Sequence, residues 1–238
     1  MPLIVIIKER GPLAQEFKTE KNNLTLRILS GAILSATTII SMIWIPPLFV
    51  IFIFIIAAGM LIEWSDMTKS SSKDLIAGML VIPTSIISLL TIYEHSETRW
   101  MLLLYFAIIW SVDSFAMLGG QRLKGPKLAP QISPNKTWSG LITGVTLGTI
   151  SAIVVYDIMV KLAIVKPQLM ISLFALILIS MTIGVMAQLS DLFVSCFKRK
   201  FKIKDSGYII PGHGGILDRF DSIILTTPIL LLIKNYYG

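Results

Sequence analysis

The chain has 238 residues, 54% of them hydrophobic and 15% charged, with a formal net charge of +7 and a mean hydropathy of +0.78. That composition excludes a water-soluble globular domain and specifies an all-α integral membrane protein, a polytopic bundle of about seven transmembrane helices of roughly 20 residues each. The positive charge then reads as topogenic and lipid-directed, not as a sign of a nucleic-acid partner, and the single cysteine excludes an internal disulfide.

Residues 1–23 form a polar lead of mixed charge. Its apolar run Leu3 to Ile7 is short and is followed, not preceded, by Lys8 and Arg10, so it is not read as a secretory signal. Leu24 to Ile43 is the first expected span, ended by Pro46-Pro47, and Leu48 to Ile62 the second, running into Glu63-Trp64-Ser65-Asp66. Leu75 to Tyr93 and Trp100 to Ala116 follow, the latter carrying Asp113 near its end. A Gly/Pro/Lys loop over 118–138 precedes a fifth span at 139–159. The sixth runs from Leu169 into the helix of Asp191, and the seventh from Phe220 to Ile233. With no repeat of fixed period, residues 24–238 are expected to form one membrane-embedded domain.

The connections carry unequal charge. The lead with Arg27 holds 5 Lys and Arg residues, the 63–74 loop 2, the 118–138 loop 4 and the 195–221 region 6. The opposite connections hold only Arg99, Lys161, Lys166 and Lys234. Seven spans with this bias put the N-terminus and the charged loops in the cytoplasm.

Ionisable groups concentrate in Ala187 to Ser222, which holds four Asp residues, a basic run, His213 and the turn Pro211-Gly212-His213-Gly214-Gly215. Charges beside apolar helices are costly, which marks a functional site. Asp191, Ser195 and Lys198 at i, i+4 and i+7 share a helix face, with Arg199 at i+8. A further helix is expected from near Ile216, where Asp218 and Asp221, three apart, share a face. The glycines would let backbone N–H groups approach an anion at that helix start. Carboxylates beside Lys and Arg suit Mg²⁺-dependent phosphate chemistry; residue type alone leaves structural ion pairing of these Asp residues open.

The second block is Asp113 with Ser133, Pro134, Lys136 and Thr137, hydroxyls and an ammonium that can bind phosphate at a helix start or act as a simple cap. Gly120 and Gly125 are spaced as in a P-loop, but Pro126 stands where its Lys is required. Gly140, Gly144 and Gly148 recur every four residues, a pattern for close helix packing inside the protomer or across a homodimer. Cys196, without a second Cys or a ligand cluster, is expected to be inert.

Ser195-Cys196-Phe197-Lys198-Arg199, Lys204-Asp205 and His213-Gly214-Gly215-Ile216-Leu217-Asp218-Arg219-Phe220-Asp221, together with the Ser133-Pro134-x-Lys136-Thr137 core, resemble the signature of the phosphatidate cytidylyltransferases. Weaker likeness extends to Leu24-x-x-Arg27 and Glu63-Trp64. The chain departs from the family pattern at Ser190, Val194 and Ser139, where Gly, Glu and Glu are usual. The resemblance implies transfer of a cytidylyl group from CTP to phosphatidic acid in phospholipid biosynthesis, at a polar active site facing the cytoplasm, in a bacterial inner membrane. It implies Mg²⁺ on Asp191, Asp218 and Asp221, and catalytic roles for Asp191, Asp218, Lys198 and Arg199. Substrate contacts fall to Asp113, Ser133, Lys136, Thr137, Ser195, His213 and Arg219, with capping an equal alternative for His213. Two rivals are a CTP-dependent lipid kinase of related architecture and, from another class, a membrane transporter. Transporters place their charges at the midplane on broken, repeated helices.

Overall fold

Apolar runs punctuated by proline, glycine and charge set the helix boundaries. The computed structural model describes residues 31, 33, 35–96, 98–207 and 214–237. A short apolar helix α1 (Ser35–Trp44) leads to α2 (Pro46–Thr68), whose first positions are Pro46 and Pro47, a place where a missing N–H costs nothing. Then come α3 (Ser72–Glu94), α4 (Trp100–Leu123), strands β1 (Lys127–Ala129) and β2 (Ser133–Thr137), α5 (Trp138–Lys161), α6 (Leu173–Lys200) and α7 (Leu217–Tyr237). Two helices start at side-chain caps: Thr137 Oγ1 accepts from Gly140 N at 3.1 Å and Ser172 Oγ from Ala175 N at 3.3 Å. At its far end α6 finishes on Lys198, Arg199 and Lys200, cations where the helix dipole is negative.

Among the described residues, five helices, α2 to α6, are long and apolar enough to cross a membrane. Residues such as Ile51, Phe54, Ile55, Leu80, Ile87 and Phe174 are more than half exposed on their outer faces, a surface that suits lipid and not water. The chain is thus a polytopic helical membrane protein. The expected first span, Leu24 to Ile43, lies partly outside the described residues. α7 is 21 residues long but carries Asp218, Arg219 and Asp221 in its first two turns.

Residues 118–138 are not the plain loop expected from composition. α4 continues to Leu123 and is broken where Lys124 and Gly125 take positive φ values of 54° and 111°. The strands then pair antiparallel, Lys127 with Thr137 and Ala129 with Ser133. Two strands alone are marginal; here Arg199 of α6 donates to Ile132 O at 3.0 Å and holds the turn down.

The glycine stripe packs inside the protomer, α5 against α4. A Cβ at Gly140 would lie 2.7 Å from Ala116 O, and one at Gly144 2.8 Å from both Ala116 Cβ and Val112 O. Near the end of α2, fully buried Trp64 donates to Asp74 O at 2.9 Å and lies against Phe193 and Phe197 of α6. These contacts bring the ends of α2, α4 and α6 and the starts of α3, α5 and α7 to one end of the bundle.

Candidate active site

At that end lies a cavity of about 890 Å³. α4 lends Asp113, β2 Ser133 and Lys136, α6 Gln188, Asp191 and Lys198, and α7 Asp218, Arg219 and Asp221. Lys127 and Asp205 complete its charged lining. The two sequence blocks, at 113–140 and 187–222, therefore meet in one place.

A polar chain crosses the cavity between helices. Lys136 Nζ pairs with Asp191 Oδ2 at 2.7 Å and donates to Gln188 Oε1 at 3.0 Å. Gln188 Nε2 in turn donates to Asp113 Oδ1 at 2.9 Å. Asp191 Oδ1 accepts from Ser195 Oγ at 3.1 Å. Gln188 was missed by sequence reading, although it falls three residues before Asp191 on the same face of α6, as a lone amide in an apolar run. It is 5% exposed, and its amide links a carboxylate on α4 to a cation on β2.

The second ion pair is Lys198 Nζ with Asp218 Oδ1 at 2.6 Å. The other oxygen of Asp218 accepts from Ser206 N at 2.8 Å and Gly215 N at 3.0 Å. Ile216 and Leu217 N donate to Glu63, each at 2.9 Å. The amides of Gly215, Ile216 and Leu217 are therefore taken by protein carboxylates, so of the glycines expected to bring an N–H to an anion at this helix start, Gly215 is already engaged. His213 lies outside the described residues.

Asp221 is 8% exposed, and among the described residues its carboxylate receives only Ser222 Oγ at 3.4 Å. It sits within electrostatic reach of Asp191 and Asp113. Its backbone is held by Ser190, whose Oγ donates to Asp221 O and accepts from Leu225 N at 3.1 Å. Ser190, a departure from the family pattern, thus ties α6 to α7 beside Asp221. Val194 is fully buried in the apolar core, and Ser139 bonds Thr137 Oγ1 at 3.0 Å and Lys124 O. Neither of these positions lines the cavity.

Of the remaining expected site residues, Thr137 borders the cavity but spends its hydroxyl as the α5 cap. Ser195 is buried against Asp191. Arg199 turns away from the cavity: its guanidinium donates to Ile132 O and Ile203 O, both at 3.0 Å. At 100° per residue, Arg199 sits a quarter-turn or so from the face shared by Asp191 and Lys198. Cys196 is a free, exposed thiol.

No group of three or more His, Cys, Asp or Glu side chains among the described residues is close enough to hold a metal ion by itself. Mg²⁺ commonly takes one or two carboxylates and completes its shell with substrate phosphate and water. The under-satisfied carboxylate of Asp221 beside Asp191 fits that mode; Asp218, with both oxygens already engaged, fits it less well.

Fold and site together define an integral membrane protein that gathers carboxylates and ammonium groups in a cavity at the end of its helical bundle. Residues 74–237 match the cytidylyltransferase family. A phosphatidate cytidylyltransferase of Rickettsia bellii is 48% identical over 235 residues, covering 98% of this chain and all of its own length. One of Rickettsia conorii is 51% identical over 217 residues, 91% of this chain and 94% of its own. One of Brucella abortus biovar 1 is 38% identical over 133 residues, 56% of this chain and 46% of its own. The chain belongs to the cytidylyltransferase family.

Proposed function

We propose that this chain transfers the cytidylyl group of CTP to phosphatidic acid, giving CDP-diacylglycerol and pyrophosphate. The observation that carries the reading is the cavity itself, in which Lys136 and Lys198 are each held by a carboxylate at 2.7 and 2.6 Å. Both ammonium groups border a volume of about 890 Å³, roomy enough for a nucleoside triphosphate beside a lipid phosphate. Near-full-length similarity to proteins named phosphatidate cytidylyltransferase supports the same reading.

The chemistry asks little of the protein in proton transfer. A phosphate monoester loses its second proton near pH ~6, so phosphatidate is largely dianionic at neutral pH and needs no general base. One of its oxygens forms a bond to the α-phosphorus of CTP while the bond to the bridging α–β oxygen breaks. Pyrophosphate leaves with that electron pair. Lys136 and Lys198 neutralise the charge gathering on the phosphates, and Gln188 and Asp218 keep those two cations in place. A divalent cation, Mg²⁺ by the chemistry of the donors, would be held by Asp191 and Asp221 with Asp113 beside them. When bound it supplies charge neutralisation on the triphosphate.

The charge bias of the connections supports a cavity that faces the cytoplasm, where CTP is available, and a bacterial inner membrane is the location that suits this reaction. Arg219 and Ser133, which also line the cavity, are assigned to the substrates' phosphates. A CTP-dependent lipid kinase is the second reading, since it would use the same cavity but attack at the γ-phosphorus. The test is pyrophosphate release from CTP by purified protein in detergent. Release that requires phosphatidic acid and stops with EDTA supports the transferase, and release of CDP in place of pyrophosphate overturns it.

A further inference from the structure

The first turn of α7 is gripped from two sides. Gly215 N donates to Asp218 within the same turn, at 3.0 Å, whereas Ile216 N and Leu217 N donate to the two separate oxygens of Glu63, Oε1 and Oε2, at 2.9 Å each. Ser206 is held in the same double manner. Its amide donates to Asp218 at 2.8 Å and its hydroxyl to Glu63 Oε2 at 2.7 Å. Two carboxylates, one on α7 and one near the end of α2, thus fix the same short stretches of backbone.

Glu63 does not line the cavity, and none of the described cations forms an ion pair with it. It is 4% exposed. Its charge is compensated by three hydrogen bonds and by the positive end of the α7 dipole. The surroundings are shaped to it. A Cβ at Gly207 would stand 2.5 Å from Glu63 Oε1, and one at Gly215 would collide with Oε2. The neighbouring Trp64 is fully buried, so the end of α2 is a firm base. A buried carboxylate held this closely, outside the cavity but bonded to the frame of Asp218, has a task other than contact with substrate.

We propose that Glu63 is a positioning residue of the active site: it fixes the first turn of α7 on α2, and so aims Asp218, and the Lys198 ammonium that Asp218 holds, into the cavity. The geometry stands by itself; only the ligand at Lys198, a substrate phosphate, rests on the cytidylyltransferase reading.

Glu63→Gln separates this role from simple packing. The amide keeps the shape of Glu but has one acceptor oxygen for two helix amides, so Ile216 or Leu217 is left without a partner. Gly207→Ala disturbs the same carboxylate without altering it and serves where Glu63→Gln does not fold. Hydrogen exchange on the purified full chain, without substrates, is the first readout. Exchange at Ile216 and Leu217 should speed up by roughly 10-fold or more, the scale of one lost charge-assisted hydrogen bond, while the amides of α4 and α5 keep their protection. Steady-state kinetics is the second. kcat should fall about 10-fold or more on the same scale, with KM for both substrates within about two-fold, because the Lys198 ammonium that neutralises the developing charge is no longer held in place. Unchanged exchange at both amides in both variants overturns the proposal, as does a parental kcat in a variant whose exchange at these amides has sped up. If the parent makes no CDP-diacylglycerol the functional reading fails, and the exchange result still decides the role of Glu63.

Discussion

Asp218 and Asp221 stand three residues apart on α7, and the same substitution at each should act with opposite sign on stability. Asp218 is half of an ion pair whose side chains are 10% and 7% exposed, with a 2.6 Å separation. Its second oxygen carries two amides, from Ser206 and Gly215. Asn has one acceptor oxygen, so Asp218→Asn strands either Lys198 or both amides. Breaking a buried pair by removing one partner costs about 3–5 kcal/mol, and that loss should appear in thermal unfolding of the protein in detergent. Asp221 has the reverse surroundings. It is buried, receives one 3.4 Å bond from Ser222 among the described residues, and feels the like charges of Asp191 and Asp113. Asp221→Asn removes repulsion and should unfold at the parent's temperature or above it. Turnover should nonetheless fall by roughly 10²-fold or more, the scale of losing a main electrostatic contact in the transition state. Asp221→Asn proving the less stable of the two, or keeping parental turnover, would refute the assignment of these carboxylates.

Three further outcomes are expected. Lys136→Ala, which removes the partner of Asp191 and Gln188, should lower turnover about 10²-fold, whereas Arg199→Ala should stay within about 10-fold because its guanidinium holds backbone outside the cavity. Steady-state assays of the two variants check the contrast. Gly144→Ala should destabilise the α4–α5 contact by about 1–3 kcal/mol, since its Cβ would press on Ala116 and Val112, and thermal unfolding reads this. With Cys196 replaced, a cysteine at Lys161 should react with an impermeant reagent outside intact cells and one at Lys127 should not; labelling at Lys127 contradicts a cytoplasmic cavity.

Much of this architecture can be read from the chain because its strongest signals are local. Apolar runs bounded by Pro46-Pro47 and by the charges after Tyr93 mark the start of α2 and the end of α3 closely, whereas α2 continues past the expected end at Ile62 to Thr68. Helical spacing places Asp191 with Lys198, and Asp218 with Asp221, and all four line the cavity. What was not legible depends on contacts between distant residues. Glu63 meets Ile216 across 153 positions, and nothing in the local sequence of α2 announces a partner on α7. The hairpin at 127–137 has no alternating pattern and stands through Arg199 and Lys136, reached from α6. Arg199 itself shows the limit of motif reading. One position beyond Lys198 in a basic run, it is rotated off the cavity face and becomes a staple for backbone.

In the proposed reaction the α-phosphorus of CTP ends up on lipid. The direct measurement uses purified protein in detergent with phosphatidic acid and CTP labelled separately at the α- and γ-phosphates. The expected result is α-label in a lipid product and γ-label in pyrophosphate, in equal amounts. Label from the γ-phosphate on lipid, or no covalent lipid product from a folded protein, would contradict it.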